Sequence, residues 1–410
     1  MVAIEQLFNQ AIGLSEPWRV ERVDFSLERE ELHLYLDFAR GGKFACPECV
    51  ELVGAYDSEA DRVWRHLNFF QYETYLHARR PRVNCAACGV KTVEVPWARA
   101  GSGFTLLFEA LVMTLAQAMP VQAAARLMGE HDKRLWRVVE HYVQEARKRV
   151  DMSSVQAVGV DETAARRGHD YVTIFADLEK ARVLFVTAGR KAATVAEFRN
   201  ELIAHGGDPQ QVKVVCSDLS PAYQLGIREQ FPQAQIVLDR FHVVQLVNQA
   251  IDQVRRKEVH ENALLRNSRY LWLKNPENLT SRQSQKLNPL LTMNSATALA
   301  YQMKLNLQEF WELPDRQSAK EFLHRWYHWV MHSDIAHAMK KTAKTLLAHA
   351  YGLLSYFDFP VSNGLLEALN SLFQAANAKA RGFRTNHYLQ LVLYLVAGKL
   401  DLSFALTHSK

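Results

Sequence analysis

The strongest constraint on the fold is a group of three short strands predicted in succession near the middle of the chain. The apolar run at 155–160 ends abruptly in Asp161 and Glu162. Apolar runs at 171–176 and 182–186 follow after short polar segments, and both have the length and composition of strands. The pattern predicts a sheet whose first strand carries an acidic pair at its tip, facing solvent.

A fourth strand is predicted at 212–216, after a helical pattern, and it also leads into an acid, Asp218. Strand ends in one sheet can bring the side chains of Asp161 and Asp218 together. Two carboxylates in one pocket repel each other, and one pKa rises unless a cation neutralises them. Hard oxygen ligands suit Mg²⁺ or Mn²⁺, so the pair predicts a divalent-metal site.

Glu367 is the candidate for a third carboxylate ligand, which a pair of metal ions usually needs for phosphoryl transfer. Ser362 or Asn363 can cap a helix at this point. The leucines that can supply the buried face of that helix are Leu365, Leu366 and Leu369. We therefore expect Glu367 to project from the first turns of a helix that lies on the sheet.

A further strand at 235–238 ends in Asp239 and leads into a helix that carries His242. Near a phosphoryl-transfer site, His242 can hydrogen-bond a phosphate or orient a metal ligand. Alternatively, it is a packed structural histidine with Asp239 as its partner. In either case we expect the two residues beside the metal ligands and not among them.

Residues 257–354 have a helical pattern and contain no strand that ends in an acid. They separate the predicted sheet from Glu367, so they predict an all-helical insertion in the catalytic fold. Tryptophans in this segment can stack on a base flipped out of DNA, or they can form its core. Trp326 and Trp329 look the most accessible of them.

Two Cys-x-x-Cys motifs lie in the first hundred residues, where alternating polar and apolar residues predict a small sheet. The cysteines are Cys46, Cys49, Cys85 and Cys88. Two such motifs predict a tetrahedral Zn²⁺ site of the zinc-ribbon kind. The alternative is two redox pairs or unligated thiols. His66 and His77 could replace a ligand, but four cysteines make this unnecessary, and Cys216 is expected to be a core residue.

The next fifty residues change to a helical pattern, with a short helix that ends at Gly129 and a basic helix from Asp132. This arrangement suits a helix-turn-helix, whose second helix enters the major groove of DNA. Any small helical bundle gives a similar pattern, which is the alternative. The residues expected to contact DNA are Lys133, Arg134 and Arg137.

A second basic segment follows Glu367. Lys379, Arg381 and Arg384 lie within six residues that contain no acid. Cations beside a metal site can hold a DNA backbone against it. The alternative is a solvated helix end.

Several of these segments, in this order, resemble the ISL3 family of bacterial insertion-sequence transposases. The matching segments are Val160–Glu162, Arg167–Tyr171, Asp177–Leu178, Val214–Asp218 with Ser220–Tyr223, Asp239–His242, and Ser362–Gly364 with Glu367. The resemblance implies an RNase H-like DDE catalytic domain in which Asp161, Asp218 and Glu367 bind the metals. One departure is Ala368, where the family commonly has glycine.

The expected fold is therefore multidomain α/β: an N-terminal zinc ribbon, a helix-turn-helix module, and an RNase H-like mixed-sheet core interrupted by a helical insertion. The expected domains are the zinc ribbon at 1–100, the helix-turn-helix at 101–151, the first part of the core at 152–256, the insertion at 257–354, and the C-terminal helices of the core at 355–410. The expected activity is metal-dependent cleavage and transfer of DNA strands at terminal inverted repeats.

Composition agrees with this interpretation without requiring it. A net charge of +5 permits nucleic-acid binding. No stretch approaches ~20 consecutive apolar residues, and the amino terminus has no signal-peptide pattern. We expect a bacterial cytoplasmic protein that joins the nucleoid when bound to DNA, acts at least as a homodimer on double-stranded element ends and target DNA, and uses no membrane.

Two other classes of protein remain open. A sequence-specific regulator with a vestigial RNase H-like core would explain the DNA-binding front, but it predicts a missing acid, and all three acids are present. A free-standing RNase H-type nuclease would not need a zinc ribbon and a helix-turn-helix. Cleavage of any duplex, without element ends, would favour the nuclease.

Overall fold

The computed structural model describes residues 3–164, 171–293, 295–335 and 337–406. Residues 167–170, part of one family-like segment, lie outside the described residues. The chain forms two compact units. The first contains the residues up to 146 together with those from 401, and the second contains Arg147–Leu400.

The first unit is built on a six-stranded sheet that follows helix α1 (Ile4–Ala11). Its strands are β1 (Trp18–Ser26), β2 (Glu31–Phe38), β3 (Lys43–Ala45), β4 (Leu52–Phe69), β5 (Tyr72–Cys85) and β6 (Gly89–Thr92). The strand order is β1-β2-β5-β4-β3, and β6 pairs with β5. Alternate side chains of β2, Leu32, Leu34 and Leu36, are buried, so the sheet is half-buried as the sequence predicts.

Three helices follow this sheet: α2 (Leu106–Ala118), α3 (Val121–Leu127) and α4 (Asp132–Arg147). The Thr105 hydroxyl caps α2 by accepting from the Phe108 amide. The fully buried carboxylate of Glu109 on α2 accepts a hydrogen bond from the Tyr142 hydroxyl on α4 at 2.9 Å. The chain turns after α3 at Gly129, whose φ of +69° favours glycine.

The second unit contains a five-stranded mixed sheet. Its strands are β7 (Ala157–Ala164), β8 (Tyr171–Asp177), β9 (Arg182–Ala188), β10 (Val214–Ser217) and β11 (Gln235–Leu238). The order is β11-β10-β7-β8-β9, in which β7, β8 and β9 are antiparallel neighbours and β10 runs parallel to both β7 and β11. This is the RNase H-like mixed sheet that the sequence predicts.

The position of the acidic pair on the first of these strands differs from the prediction. Asp161 and Glu162 lie inside β7, paired with Ile174 and Thr173 of β8, and not at its tip. The reason is that β7 has unequal neighbours. Its parallel pairing with β10 ends at Gly159, whereas its antiparallel pairing with β8 continues to Ala164. Asp161 therefore lies just beyond the end of β10 while its backbone stays in the sheet.

Helices cover the sheet and form the insertion. They are α5 (Ala192–Ala204), α6 (Pro221–Gln230), α7 (Arg240–Glu258), α8 (Arg269–Leu273), α9 (Ser281–Leu291), α10 (Ala296–Gln308), α11 (Arg316–His332), α12 (His337–Ala348), α13 (Ala350–Leu354), α14 (Gly364–Ala380) and α15 (Asn386–Ala397). Short helix α16 (Ser403–Leu406) belongs to the first unit and packs on α2. Among the described helices, none is both long and apolar enough to cross a membrane.

The tryptophans of the helical insertion differ in their exposure to solvent. Trp272 and Trp326 are buried, and the Trp326 Nε1 donates to the Met303 carbonyl at 2.9 Å. The prediction that Trp326 is accessible is wrong, because it shares the buried face of α11 with Leu323 and Val330. Trp329, three residues further along α11, is 36% exposed.

Helix α14 lies close against β7. Leu366 and Phe373 are buried on its inner side. Asn363 stands at the helix start, but its side chain makes no capping bond; the Nδ2 group donates to the Val160 carbonyl at 3.1 Å. Of the two predicted capping residues, Asn363 occupies the N-cap position but its side chain binds the sheet instead, whereas the Ser362 Oγ accepts from the Gly364 amide at 3.4 Å.

This close approach requires a residue without a side chain at position 159. A Cβ at Gly159 would lie 2.8 Å from atoms of Asn363, Leu178 and Leu366. We expect Gly159→Ala to lower the free energy of unfolding of the second unit by about 1–3 kcal/mol, because the helix or the strand must shift. Chemical denaturation measures this. Gly54→Ala is the matched control, since a Cβ there meets nothing within 4 Å, and equal stability of both variants would contradict the packing argument.

Candidate functional site

The four N-terminal cysteines come together at the ends of two hairpins. Cys46 and Cys49 lie between β3 and β4, whereas Cys85 is the last residue of β5 and Cys88 lies between β5 and β6. Their four sulfur atoms are all within 4.8 Å of one another, and the Sγ atoms of Cys49 and Cys85 are 3.5 Å apart. Tetrahedral Zn²⁺ with Zn–S bonds of about 2.3 Å places its sulfur ligands roughly 3.8 Å apart. The cysteines therefore fit Zn²⁺.

The surroundings shift the pKa values of these cysteines in opposite directions, because hydrogen bonds among the thiols and burial raise those of Cys88 and Cys85. The amides of Cys49 and Glu48 lower the pKa of Cys46 to about 7. The two histidines considered as substitute ligands are used elsewhere. His66 Nδ1 lies 2.8 Å from the Thr105 hydroxyl, and His77 Nε2 lies 2.9 Å from His33 Nδ1. The site is thus a four-cysteine site, as predicted.

The predicted acidic site lies in the second unit, beyond the carboxyl ends of β10 and β11. Asp161 is buried, and burial raises its pKa to about 6, with the charges of Asp239 and Asp218 adding to the effect. Burial also raises the pKa of Asp218, whose Oδ1 accepts from the Ser220 amide at 2.9 Å at the start of α6. Both aspartates therefore lie in the field of neighbouring carboxylates, which favours a cation between them.

His242 lies within this group of acids. Its Nδ1 is 2.9 Å from Asp239 Oδ2, and its Nε2 is 4.0 Å from Asp161 Oδ1. Burial opposes the charged imidazolium, but the hydrogen bond to Asp239 and the neighbouring carboxylates outweigh burial and raise the pKa of His242. Among the described residues, His242 is thus the only group between these acids that can carry a positive charge. It loses that charge when the imidazolium is deprotonated.

Glu367 lies at the edge of this site, on the first turn of α14, and is exposed. It lines an open cleft of about 290 Å³ together with Asp239 and Arg240. Partial burial and the charge of Asp239 raise its pKa. Among the described residues only the cysteines form a group of three or more metal-ligating atoms within 4.8 Å of one another. The carboxylates of Asp161, Asp218 and Glu367 are therefore neighbours, but they are too far apart to bind one ion together as they stand. Their role as ligands stays a prediction.

Sequence reasoning missed a set of carboxamides on α14 that face the site. Asn370 Nδ2 donates to Asp161 Oδ2 at 2.7 Å, and Gln374 Nε2 donates to the Thr163 hydroxyl at 3.2 Å. Asn363, Asn370 and Asn377 recur every seven residues, which is two helical turns and therefore one face. That spacing was the available signal. The Oδ1 atoms of these three asparagines are buried and have no hydrogen-bond partner within the described parts of the chain.

The residues predicted to contact DNA are all exposed in the structure. Lys133, Arg134 and Arg137 lie on the outer side of α4. Arg134 already binds Glu130 at 2.6 Å and lies over the Phe104 ring, which makes its role partly structural. In the second unit, the exposed residues at the end of α14 and just beyond it are Lys379, Arg381 and Arg384. Whether any of these residues touches DNA stays a prediction.

A zinc-ribbon unit with a helix-turn-helix, joined to an RNase H-like sheet with acids beyond the carboxyl ends of its parallel strands β10 and β11, is the organisation of a DNA transposase. Three family models match in this order: the zinc finger of the IS204/IS1001/IS1096/IS1165 transposases at 43–88, the helix-turn-helix domain of transposase family ISL3 at 93–143, and the ISL3 transposase domain at 158–393. The last match covers more than half of the chain. The chain belongs to the ISL3 family of transposases.

Curated relatives agree over nearly the whole length. The chain is 28% identical over 400 residues to the transposase of insertion sequence IS1001 from Bordetella parapertussis, covering 95% of this chain and 97% of that protein. It is 29% identical over 384 residues to the IS1557 transposase of Mycobacterium tuberculosis, covering 86% of each. A solved retroviral intasome with a PP2A regulatory subunit matches 45% of this chain and 69% of that chain at 13% identity, but its TM-score of 0.17 carries no argument.

The four-cysteine site can be tested through the zinc content of the protein. We expect the purified protein to hold about one Zn²⁺ per chain, and Cys85→Ala to lose it, because three thiolates leave the tetrahedral site open. Metal analysis after dialysis measures this. Cys216→Ala is the matched control, since Cys216 is buried on β10 in the other unit. Full zinc content in Cys85→Ala would contradict the assignment.

Proposed function

We propose that this protein binds the terminal inverted repeats of an ISL3-type insertion sequence and catalyses cleavage and transfer of its DNA strands. The observation that carries the proposal is the placement of Asp161 and Asp218 together, with raised pKa values, beyond the strand ends of an RNase H-like sheet. Buried carboxylates in mutual repulsion are suited to a divalent cation. Membership in a transposase family supplies the reaction class.

The chain's own residues would prepare the site in distinct ways. Asp161, Asp218 and Glu367 offer carboxylate oxygens for Mg²⁺ or Mn²⁺. When bound, these ions supply activation of water and stabilisation of charge at the scissile phosphate. Asn370 fixes one oxygen of Asp161 through its hydrogen bond. If cations occupied these acids, their charge would favour the neutral form of His242, which Asp239 holds in place.

The first unit would select the DNA. A zinc ribbon and a helix-turn-helix support binding of duplex ends, with phosphate contacts setting the register and base contacts giving specificity. Lys133 and Arg137 are the exposed cations of α4 best placed for phosphate or base contact, and Arg134 would contribute while bound to Glu130. In the second unit, the basic end of α14 would hold the backbone near the acids.

Assembly follows from the chemistry of the proposed reaction. An insertion sequence has two ends, and cutting and joining must be coordinated between them. We therefore propose at least a homodimer on the two ends and target DNA, working on the bacterial nucleoid in the cytoplasm. If the protein binds element ends but never cuts them, it would instead be a regulator with a vestigial core.

The acidic residues can be tested by charge removal. We expect Asp161→Asn, Asp218→Asn and Glu367→Gln each to reduce cleavage and strand transfer by more than about 100-fold with Mg²⁺ or Mn²⁺, because each removes a ligand charge worth several kcal/mol in the transition state. Labelled duplexes carrying the element's ends measure both steps. End binding should be unchanged.

Glu229→Gln is the matched control, since Glu229 is exposed on α6. We expect it to cut like the wild type. If Glu367→Gln also cuts normally while the two aspartate variants do not, the third ligand lies elsewhere. If all three variants cut normally, the proposed active site is wrong.

The raised pKa of Asp161 predicts a pH dependence of metal use. A carboxyl with a pKa of about 6 is ionised above that pH and protonated below it, so protons compete with the cation only on the acid side. We expect the Mg²⁺ concentration for half-maximal cleavage to be constant above about pH 7 and to rise as pH falls through 6. DNA binding at each pH is the control. A half-maximal concentration independent of pH between 5 and 7 would contradict the assignment.

A further inference from the structure

One side of α7 forms the wall of an open groove that the proposed active site does not use. The groove has a volume of about 450 Å³. Most of the residues that line it carry amide or guanidinium groups, although the carbon parts of their side chains supply much of the exposed surface: Gln245, Asn248, Gln249, Gln253, Arg256 and Arg269. The Oδ1 atom of Asn248 is shielded from water and has no hydrogen-bond partner in the described parts of the chain. A groove lined by amides and guanidinium groups is suited to a polar, anionic ligand.

Asp252 organises the charge at the far end of this groove. Its buried carboxylate contacts three arginines: Arg255 at 2.8 Å, Arg256 at 3.0 Å and Arg269 at 3.4 Å. One negative and three positive charges leave an excess of two positive charges at one place. Such an excess attracts an anion.

The three arginines differ in how many of their N–H donors remain available to a ligand. The side chain of Arg255 is only 11% exposed, and it also donates to the Leu265 carbonyl. Arg256 and Arg269 are 64% and 47% exposed, and both contact Asp252 through Nε. Their terminal Nη groups have no other acceptor in the described parts of the chain. Two guanidinium groups fixed in this way present the forked donors that bind a phosphate.

The groove lies along the same helix, α7, that carries His242 into the candidate active site. His242, Gln245, Gln249, Asp252 and Arg256 follow one another at intervals of three or four residues, so they share one face of α7. At 1.5 Å per residue, Asp252 lies roughly 15 Å along the helix from His242. A DNA strand rises about 3.4 Å per nucleotide, so this distance corresponds to about four nucleotides.

We propose that Arg256 and Arg269, held by Asp252, bind a backbone phosphate of the DNA strand about four nucleotides from the cleaved bond. The amide side chains of α7 between this phosphate site and His242 contact the nucleotides in between. Among the described residues, those that line the groove include no aromatic side chain and one apolar residue, Leu273, which favours a backbone over a stacked free nucleotide. The inference rests on the proposed cleavage site at Asp161 and gives the path of the DNA strand away from that site.

The first arm of the test measures affinity. Full-length wild type, Arg256→Gln, Arg269→Gln and the double variant are titrated with labelled duplex carrying an element end, at several salt concentrations, with fluorescence anisotropy as the readout. We expect the double variant to bind about tenfold more weakly, and its salt slope to fall by about one to two. Arg282→Gln, an exposed arginine on α9 outside the groove, should bind like the wild type.

The second arm locates the phosphate. Single methylphosphonate linkages, which remove one backbone charge, are placed at successive positions from the cleaved bond. We expect wild type to lose affinity when the substituted linkage is about the fourth, and the double variant to be indifferent there. This arm needs no cleavage, so it is independent of the catalytic assignment.

The outcomes separate the two proposals. If the acid variants still cut but the methylphosphonate effect near the fourth linkage persists, the active-site assignment fails and the phosphate site stands. If the double variant melts like the wild type and keeps its affinity and its methylphosphonate pattern, the phosphate site is overturned. If the double variant unfolds, the wild-type scan decides alone, and the absence of any effect at the third to fifth linkages overturns the proposal.

Discussion

The buried carboxylate of Asp239 is the contact on which the candidate active site depends. It follows β11, and its two oxygens accept from two different helices. Oδ2 accepts from His242 Nδ1 at the start of α7, and Oδ1 accepts from the Asn363 amide at the start of α14. Asp239 is 2% exposed, so these hydrogen bonds are shielded from water and strengthened. One side chain thus sets the helix that carries the groove and the helix that carries Glu367 against the same strand ends.

The site is assembled at an electrostatic cost. Burial raises the pKa values of Asp161 and Asp218 and partly that of Glu367, so ionising all three in the absence of a cation opposes folding. His242 offsets part of this repulsion whenever its ring is protonated, a form that the neighbouring carboxylates favour. A divalent cation would offset more of it, and by binding only the folded state it would also stabilise the second unit. The clustering of acids that suits a cation therefore also lowers the stability of the second unit when no cation is bound.

Sequence reasoning succeeded where one local pattern had one consequence. Paired cysteine motifs and apolar strands ending in acids have few alternatives, so the zinc ribbon and the mixed sheet followed from them. It failed where a side chain had two possible partners. Asn363 can cap a helix or bind a neighbouring strand, and only the approach of α14 to Gly159 decides. Trp326 and Trp329 differ by less than one helical turn, so which is buried depends on the rotation of α11, which local sequence does not define.

The membership of α16 in the first unit has a consequence for the order of synthesis. Leu402 and Ala405 are buried, and the Phe404 ring lies 5.8 Å from the Tyr142 ring on α4. These residues follow the entire second unit in the chain. A growing polypeptide must therefore complete the second unit before the first unit reaches its final packing. A messenger truncated before codon 401 would leave both α2 and α4 partly uncovered.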